Sequence, residues 1–505
     1  MVPLQPSFPE FQALTERGNL IPVFTELAAD YETPISVYRK LRGRGGSSFL
    51  LESAEKSDQI GRFSFLGNEP RSVITAWGRE MEIRHGDERT AYTAEADSEP
   101  LREVENEMAR FQPVPVEGLP LFSGGAVGYL GYDMVRFFEP TVEEAEGDDL
   151  NLPDLVFMIA DSLVIFDHRF RRLQLVANVF LTDHPDHETA YASARARIQD
   201  LVAQLTKPLA FVPLSTFRST ADPKPKSNTT KSEFVRRVKT AKDHIHAGDI
   251  FQVVPSQRFE LPFSGEPIDY YRALRHINPS PYMFCLELEH GFSVVGSSPE
   301  VHVRCLGGQI DIRPIAGTRP RGKTEEEDEA FAEDLLADPK ERAEHIMLVD
   351  LARNDVGRVA EFSSVEVTDF MIIERYSHVM HIVSNVDGQL KPGQSSYDVM
   401  RATFPAGTVS GSPKVRAMQI IRELEGGKRG AYSGAVGYFG FDGGLDSCIA
   451  LRTAVLKDGK VYVQAGAGIV ADSDPDSEYE ETVNKAKGAL RAAEHASWLS
   501  EQDAR

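Results

Sequence analysis

Apolar residues fall on one stripe at helical spacing over residues 231–245, where Phe234, Val235, Val238, Ala241 and Ile245 recur and Gly248 supplies a stop. Beyond it the pattern shortens. Apolar runs at 250–254, 282–288, 292–295, 301–305 and 309–315 read as strands, and the turn His290-Gly291 joins two of them as a hairpin. Helical spacing returns over 325–355, with a break near Asp338-Pro339. Pro413 behind Ser412 opens a further helix that runs to Leu424. Strands follow at 432–441, 446–456 and 460–464, and a last helix starts near Asp474-Pro475. The N-terminal part predicts strands at 48–52, 62–66, 73–77 and 155–166. Short strands joined by tight turns outnumber the helices between them. The expected fold is therefore α+β, with mainly antiparallel sheets rather than a doubly wound parallel one. Residues 123–133 and 433–442 echo each other around Gly-Ala-Val-Gly-Tyr, which is compatible with equivalent strands in two packed sheets.

Residues 215–230 (STFRSTADPKPKSNTT) read as a linker, dividing an N-terminal region, 1–214, from a second region, 231–505. The chain has 505 residues, 41% of them hydrophobic and 26% charged, as in soluble globular enzymes. Its formal net charge of −22 argues against a nucleic-acid or anionic-membrane partner, both of which need clustered Lys and Arg. No signal-like leader and no membrane-length apolar run is seen. The cysteines Cys285, Cys305 and Cys448 are scattered through apolar runs, so a cytoplasmic location with buried thiols is expected.

Two pairs of glutamates change this picture. Glu341 and Glu344, and Glu478 and Glu481, each stand three residues apart in helical stretches, so each pair presents two carboxylates on one face. Alone, such pairs are usually solvated helix faces. If the two faces converge, their mutual repulsion calls for a hard cation, and oxygen-only ligands of this kind fit Mg²⁺.

Four segments carry a closer assignment: 314–322 (PIAGTRPRG), 341–355 (ERAEHIMLVDLARND), 404–414 (FPAGTVSGSPK) and 464–470 (QAGAGIV). Together they resemble the chorismate-utilising enzymes, over nearly the whole chain from about Ile21 to Arg491. The resemblance implies two large antiparallel sheets packed face to face with helices outside. It implies a nucleophile that adds to the chorismate ring as the C4 hydroxyl leaves. Glu344 and Glu481 match the family's Mg²⁺ ligands, with Glu341 and Glu478 supporting. Arg452 matches the arginine that grips the enolpyruvyl carboxylate, a task suited to a guanidinium fork. Gly466, Ala467 and Gly468 would offer backbone N–H groups to the same anion, and Gly317, Thr318 and Tyr432 complete the pocket. Glu300 matches the acid that protonates the departing hydroxyl, His381 the active-site histidine, and Thr408 a hydrogen-bonding partner in the site.

Two positions select a branch of that family. Relatives that activate water carry a lysine where this chain has Gln252, and relatives that use a covalent lysine carry it where this chain has Ala316. Direct addition of ammonia at C2, then loss of pyruvate, would give anthranilate, the first step toward tryptophan. The alternatives are a para-amino product or a catalytically inactive relative. No cysteine stands in a Gly-x-Cys-x-Gly context, so a separate glutamine amidotransferase subunit would supply ammonia, in an expected heterotetramer of two large and two small subunits. Residues 50–53 (LLES) and 278–284 (NPSPYMF) resemble the family's tryptophan feedback site, with Ser53 touching the inhibitor and Pro281, Tyr282 and Met283 walling the pocket.

Overall fold

The structure is a computed structural model that describes residues 2–42, 46–53, 61–209, 224–376 and 379–503. Most strands join two large sheets. One runs, in spatial order, Leu20–Ala28, Arg172–Phe180, Ser162–Asp167, Phe63–Asn68, Ser48–Glu52, Tyr282–Leu288, Phe292–Ser298, Thr453–Lys457, Lys460–Gly466, Ser256–Pro262 and Lys226–Ser227. The other runs Ile315–Pro320, Val379–Gln389, Gln309–Ile312, Val301–Leu306, Leu445–Ile449, Ala435–Gly440, Gly125–Leu130, Leu155–Ala160, Ser72–Trp77, Glu80–His85 and Glu88–Thr93, with Glu366–Arg375 added beside Val379–Gln389. Neighbouring strands within both sheets pair antiparallel. The α+β fold with mainly antiparallel sheets is as expected.

The sheets pack face to face. Phe49, Ile165, Leu286 and Val294 from the first meet Val73, Tyr129, Met158 and Val436 from the second in one buried cluster. Helices cover the outer faces. Pro267–Ile277 and the last helix, Pro475–Asp503, lie over the first sheet and Pro339–Val359 over the second; Lys231–Ala247 packs on the last helix, and Lys414–Glu425 on the short pair Gln252–Val253 and Gly411–Ser412. In Lys231–Ala247 the apolar stripe buries Phe234, Val238 and Ala241, Thr230 caps the start and Gly248, at φ +83°, ends it. No helix among the described residues is long and apolar enough to cross a membrane.

Three local expectations change. Residues 155–166 form two strands, Leu155–Ala160 and Ser162–Asp167, in different sheets. Residues 446–456 likewise split, because the chain crosses from one sheet to the other between Ile449 and Thr453. The two echoing segments are neighbours in the same sheet, with Gly437 opposite Gly128. A Cβ on Gly128 would meet the Val156 carbonyl oxygen at 1.9 Å, so the glycine there serves close strand approach. Residues 215–223 of the linker segment lie outside the described residues. Its remainder supplies the edge strand Lys226–Ser227 and the cap Thr230. Each large sheet takes strands from both sides of this segment.

Candidate active site

A cavity of about 1630 Å³ opens beside the place where the chain crosses between the sheets. It crosses at Glu300, between Phe292–Ser298 and Val301–Leu306, and crosses back at Arg452, between Leu445–Ile449 and Thr453–Lys457. At such a corner the side chain leaves the ladder and turns into the cavity wall. Arg452 takes a left-handed backbone, φ +47°, which non-glycine residues adopt rarely and mostly at functional sites. Its guanidinium is half-buried and donates to Asn278 Oδ1 at 3.3 Å. Among the described residues no carboxylate forms an ion pair with it, so a half-buried cation faces the cavity ready for an anion.

Glu300 accepts a hydrogen bond from Thr408 Oγ1 at 2.6 Å. Burial pushes its carboxyl up to about 8, against the downward pull of Thr408, Lys485 and Arg452. It is therefore mostly protonated at neutral pH. His381 stands in Val379–Gln389 opposite Glu374. Its Nδ1 lies 2.8 Å from the Gly317 carbonyl oxygen and 3.1 Å from Thr318 Oγ1. A carbonyl only accepts, so Nδ1 carries the proton. Burial holds the ring's pKa below its ordinary value, which leaves a neutral imidazole with a free lone pair on Nε2. Gly317, at φ +68°, lies in a bulge where the Ile315–Pro320 register slips against its neighbour.

The two glutamate pairs enter from separate helices. Asp338 caps Pro339–Val359, accepting from the backbone of Lys340 at 2.9 Å and Glu341 at 3.3 Å. Glu341 and Glu344 follow in the first turns, and Glu478 and Glu481 stand early in Pro475–Asp503. All four line the cavity, so the two faces, each set by its own spacing, meet there. Glu341 is raised by burial and by Glu344. Glu478 is raised by burial, against a Ser473 hydrogen bond, and further by Glu481. Gln252 Nε2 donates to Glu344 Oε1 at 3.1 Å, and Lys485 pairs with Glu481 at 2.7 Å. Among the described residues no three of these carboxylates bring ligand atoms within 4.8 Å of one another. One carboxylate from each helix, completed by water or substrate oxygens, is the donor set Mg²⁺ uses, so the residues fit that ion. Among the described residues the one tight cluster of potential metal-binding side chains, Glu82, Glu289 and His290, lies outside the cavity and pairs with Arg84 and Arg89.

Gly317, Thr318, Tyr432, Gly466 and Gly468 also line the cavity. A side chain on Gly466 would strike the Tyr432 hydroxyl at 2.8 Å and the Pro255 carbonyl at 2.9 Å, so glycine there lets backbone face the space; one on Gly468 would displace the Gln252 amide, 2.7 Å away. Ala467 departs from expectation. Its N–H donates to the Pro255 carbonyl at 3.2 Å and its side chain is buried in the core, because alternate residues of an extended segment face opposite ways.

A second cavity, about 490 Å³, is lined by Ser53, Pro281, Tyr282 and Met283 together. Two segments far apart in sequence meet there because Ser48–Glu52 pairs with Tyr282–Leu288. The Tyr282 hydroxyl donates to Asp446 Oδ1 at 2.8 Å, and Pro281 lines both cavities.

Residues 46–491 match the family described as chorismate binding enzyme. The chain belongs to that family. Similar proteins include "Anthranilate synthase component 1" of Aquifex aeolicus, 48% identical over 98% of this chain and 99% of that protein, and its namesake from Pseudomonas aeruginosa, 47% identical over 96% and 97%. Among solved structures, anthranilate synthase component I from Streptococcus pneumoniae is 36% identical and superposes with a TM-score of 0.76 over 92% of this chain and 99% of that one. The menaquinone-specific isochorismate synthase of Escherichia coli, 18% identical with a TM-score of 0.68 over 96% and 98%, shares the fold.

As a chorismate binding enzyme the chain has wall residues that sequence reasoning left out. Lys485 lines the cavity and donates to the Gly466 carbonyl at 3.2 Å. Its place four residues after Glu481, on the same helix face, was the available signal. Asn278, which holds Arg452, gave no such signal, since it meets the arginine only through the folded sheet.

Proposed function

We infer that the chain is the chorismate-converting component of an anthranilate synthase, forming anthranilate and pyruvate from chorismate and ammonia. One observation carries most weight. A mostly protonated, buried Glu300 and a half-buried Arg452, which has no ionic partner among the described residues, share one cavity with both carboxylate pairs. Such a cavity suits a dicarboxylate whose hydroxyl must leave.

In the first half-reaction ammonia forms a bond to ring C2, both ring double bonds shift, and the C4–O bond breaks. Arg452 pairs with the enolpyruvyl carboxylate, and the backbone of Gly466 and Gly468 lies against it. Glu300 gives its proton to the leaving hydroxyl, which departs as water, while Thr408 stabilises the carboxylate left behind. The second half-reaction removes the C2 proton and breaks the ether C3–O bond, so that the ring becomes aromatic and pyruvate is released. His381, neutral and protonated on Nδ1, is suited to take that proton on Nε2. Glu344 and Glu481 would hold Mg²⁺, with Glu341 and Glu478 beside them; when bound, the ion would neutralise the ring carboxylate and favour charge developing next to it. Gln252 cannot deprotonate water and Ala316 is an apolar, buried residue, which supports direct use of ammonia over hydration or a covalent lysine.

The ammonia would come from a glutamine amidotransferase subunit, in an assembly of two large and two small chains within the cytoplasm. The 490 Å³ cavity would bind tryptophan as feedback inhibitor, with Ser53, Pro281, Tyr282 and Met283 around it. The test is to supply the purified chain with chorismate, Mg²⁺ and either ammonium or glutamine. Aromatic amine formed only with ammonium is expected. Equal use of glutamine would contradict the two-subunit reading, and no aromatic amine under either condition would contradict the reaction.

A further inference from the structure

Thr408 lies in the segment 404–413, whose ends meet at one buried point and whose far part, Gly411–Ser412, pairs with Gln252–Val253. The helix Ser396–Thr403 ends where the loop starts, and Lys414–Glu425 begins where it stops. Lys414 Nζ donates to the Thr403 carbonyl at 2.9 Å, tying the two ends together. The same ammonium pairs with Asp355 Oδ2 at 2.6 Å, and these side chains are only 8% and 9% exposed. Asp355 belongs to Pro339–Val359, the helix that presents Glu341 and Glu344 nearer its start. The tie therefore joins the carboxylate helix to both ends of the Thr408 loop.

Neither Asp355 nor Lys414 lines the 1630 Å³ cavity, so the mechanism above leaves them without a role. A buried ion pair is weak evidence of stability, because desolvation offsets much of the attraction. What it does provide is a fixed geometry, and two links run from it toward Glu300. Thr408 Oγ1 donates to Glu300 at 2.6 Å. The Thr403 hydroxyl lies 3.4 Å from the Nε2 of His302, two residues beyond Glu300 and lining the same small cavity. A cavity of about 30 Å³ sits among Glu300, His302, Asp355, Thr403 and Thr408, so the tie is a near neighbour of the carboxyl.

We propose that the buried Asp355–Lys414 ion pair is a positioning element of the acid step: it closes the loop that carries Thr408 and so holds the Thr408 hydroxyl on Glu300. The proposal rests on Glu300 being the acid of the proposed function. Glu300 is faced by Arg452 and Lys485 as well as Thr408, and each pulls its proton affinity down against burial. Around the tie, Asp355 feels Lys414, Arg358 and Glu139. His302 is pushed down to about 3 by burial and then by Lys414, so it stays neutral. Loosening the loop removes one of the three downward pulls on Glu300, and its proton affinity rises.

The test is the pH dependence of turnover of the full chain with saturating chorismate and Mg²⁺, free ammonia being held constant. In Asp355→Leu/Lys414→Met, apolar side chains replace both ions. Expected are a wild-type circular dichroism spectrum, a kcat lowered about tenfold with little change in KM, and an alkaline limb moved up by about one unit. Thr408→Val should move the limb the same way, and adding it to the double variant should move it no further. A folded double variant with the wild-type limb and kcat overturns the proposal. Should that variant fail to fold, Asp355→Asn, which keeps an acceptor for Lys414, decides instead: a smaller upward shift supports the tie, and an unmoved limb overturns it. Glu300→Gln separates the two readings. A limb that survives in it removes Glu300 as the acid, and the proposal with it; a limb lost there but unmoved in the tie variants removes the proposal alone.

Discussion

Glu300 and Arg452 stand at paired corners where the chain passes between the two sheets. The Ile449 N–H donates to the Glu300 carbonyl at 3.1 Å, and the Ser297 N–H donates to the Arg452 carbonyl at 3.3 Å. The strands on either side pair in the same way, Gly296 opposite Thr453 in one sheet and Val301 opposite Cys448 in the other. Glu300 and Arg452 are thus fixed to each other by backbone pairing rather than by loops.

Glu300→Gln should lower kcat by ~10²–10⁴-fold, the usual contribution of a positioned acid. In the wild type, turnover should fall as pH rises through about 8, where Glu300 loses its proton. A Gln variant with near-normal kcat would contradict the assignment.

The same substitution has a stability signature of known sign. Burial raises Glu300 from 4.5 to about 8, so the folded chain binds this proton more tightly than the unfolded chain. That contribution is full below the unfolded value and lost as pH rises through the folded one. Glu300→Gln should therefore melt higher than wild type at about pH 9 and match it only below the unfolded value, at about pH 3.5. Equal melting at both would mean that the carboxyl is not strained by burial.

Arg452→Lys should raise KM for chorismate about tenfold or more, because an ammonium cannot reproduce bidentate carboxylate binding. Arg452→Met should bind worse still yet melt no lower than wild type, since the guanidinium has no ionic partner among the described residues to leave behind. Steady-state kinetics and a melting curve check both.

Glu481→Gln should raise the Mg²⁺ concentration for half-maximal activity about tenfold or more. Wild-type activity at ordinary Mg²⁺ would contradict its role as a ligand.

Ser53→Phe should fill part of the 490 Å³ cavity, leaving turnover intact while inhibition by tryptophan disappears. Joint loss of activity and inhibition would indicate a structural role for the strand end.

Much of this was legible in the chain. The spacing of Glu341 with Glu344 and of Glu478 with Glu481 gives their helix faces directly, and the Asp338-Pro339 and Asp474-Pro475 steps mark where both helices begin. The corners were not legible. Residues 446–456 read as one apolar strand, because what bends the chain at Arg452 is a choice between two sheets, and that choice depends on partners far away in sequence. Thr408 and Glu300, 108 residues apart, meet for the same reason. Ala467 was misread because a glycine-rich run carries no signal of which N–H groups the ladder takes up and which it leaves free. The echo of residues 123–133 in 433–442 turned out to be cross-strand fit within one sheet, a pairing that a comparison of the two segments in isolation does not reveal.

The most direct measurement is the identity of the product from chorismate, Mg²⁺ and ¹⁵N-ammonium, separated by chromatography and read by NMR. Anthranilate with ¹⁵N ortho to the carboxylate, formed with an equal amount of pyruvate, is the predicted result. A para-amino product, isochorismate or salicylate would contradict it.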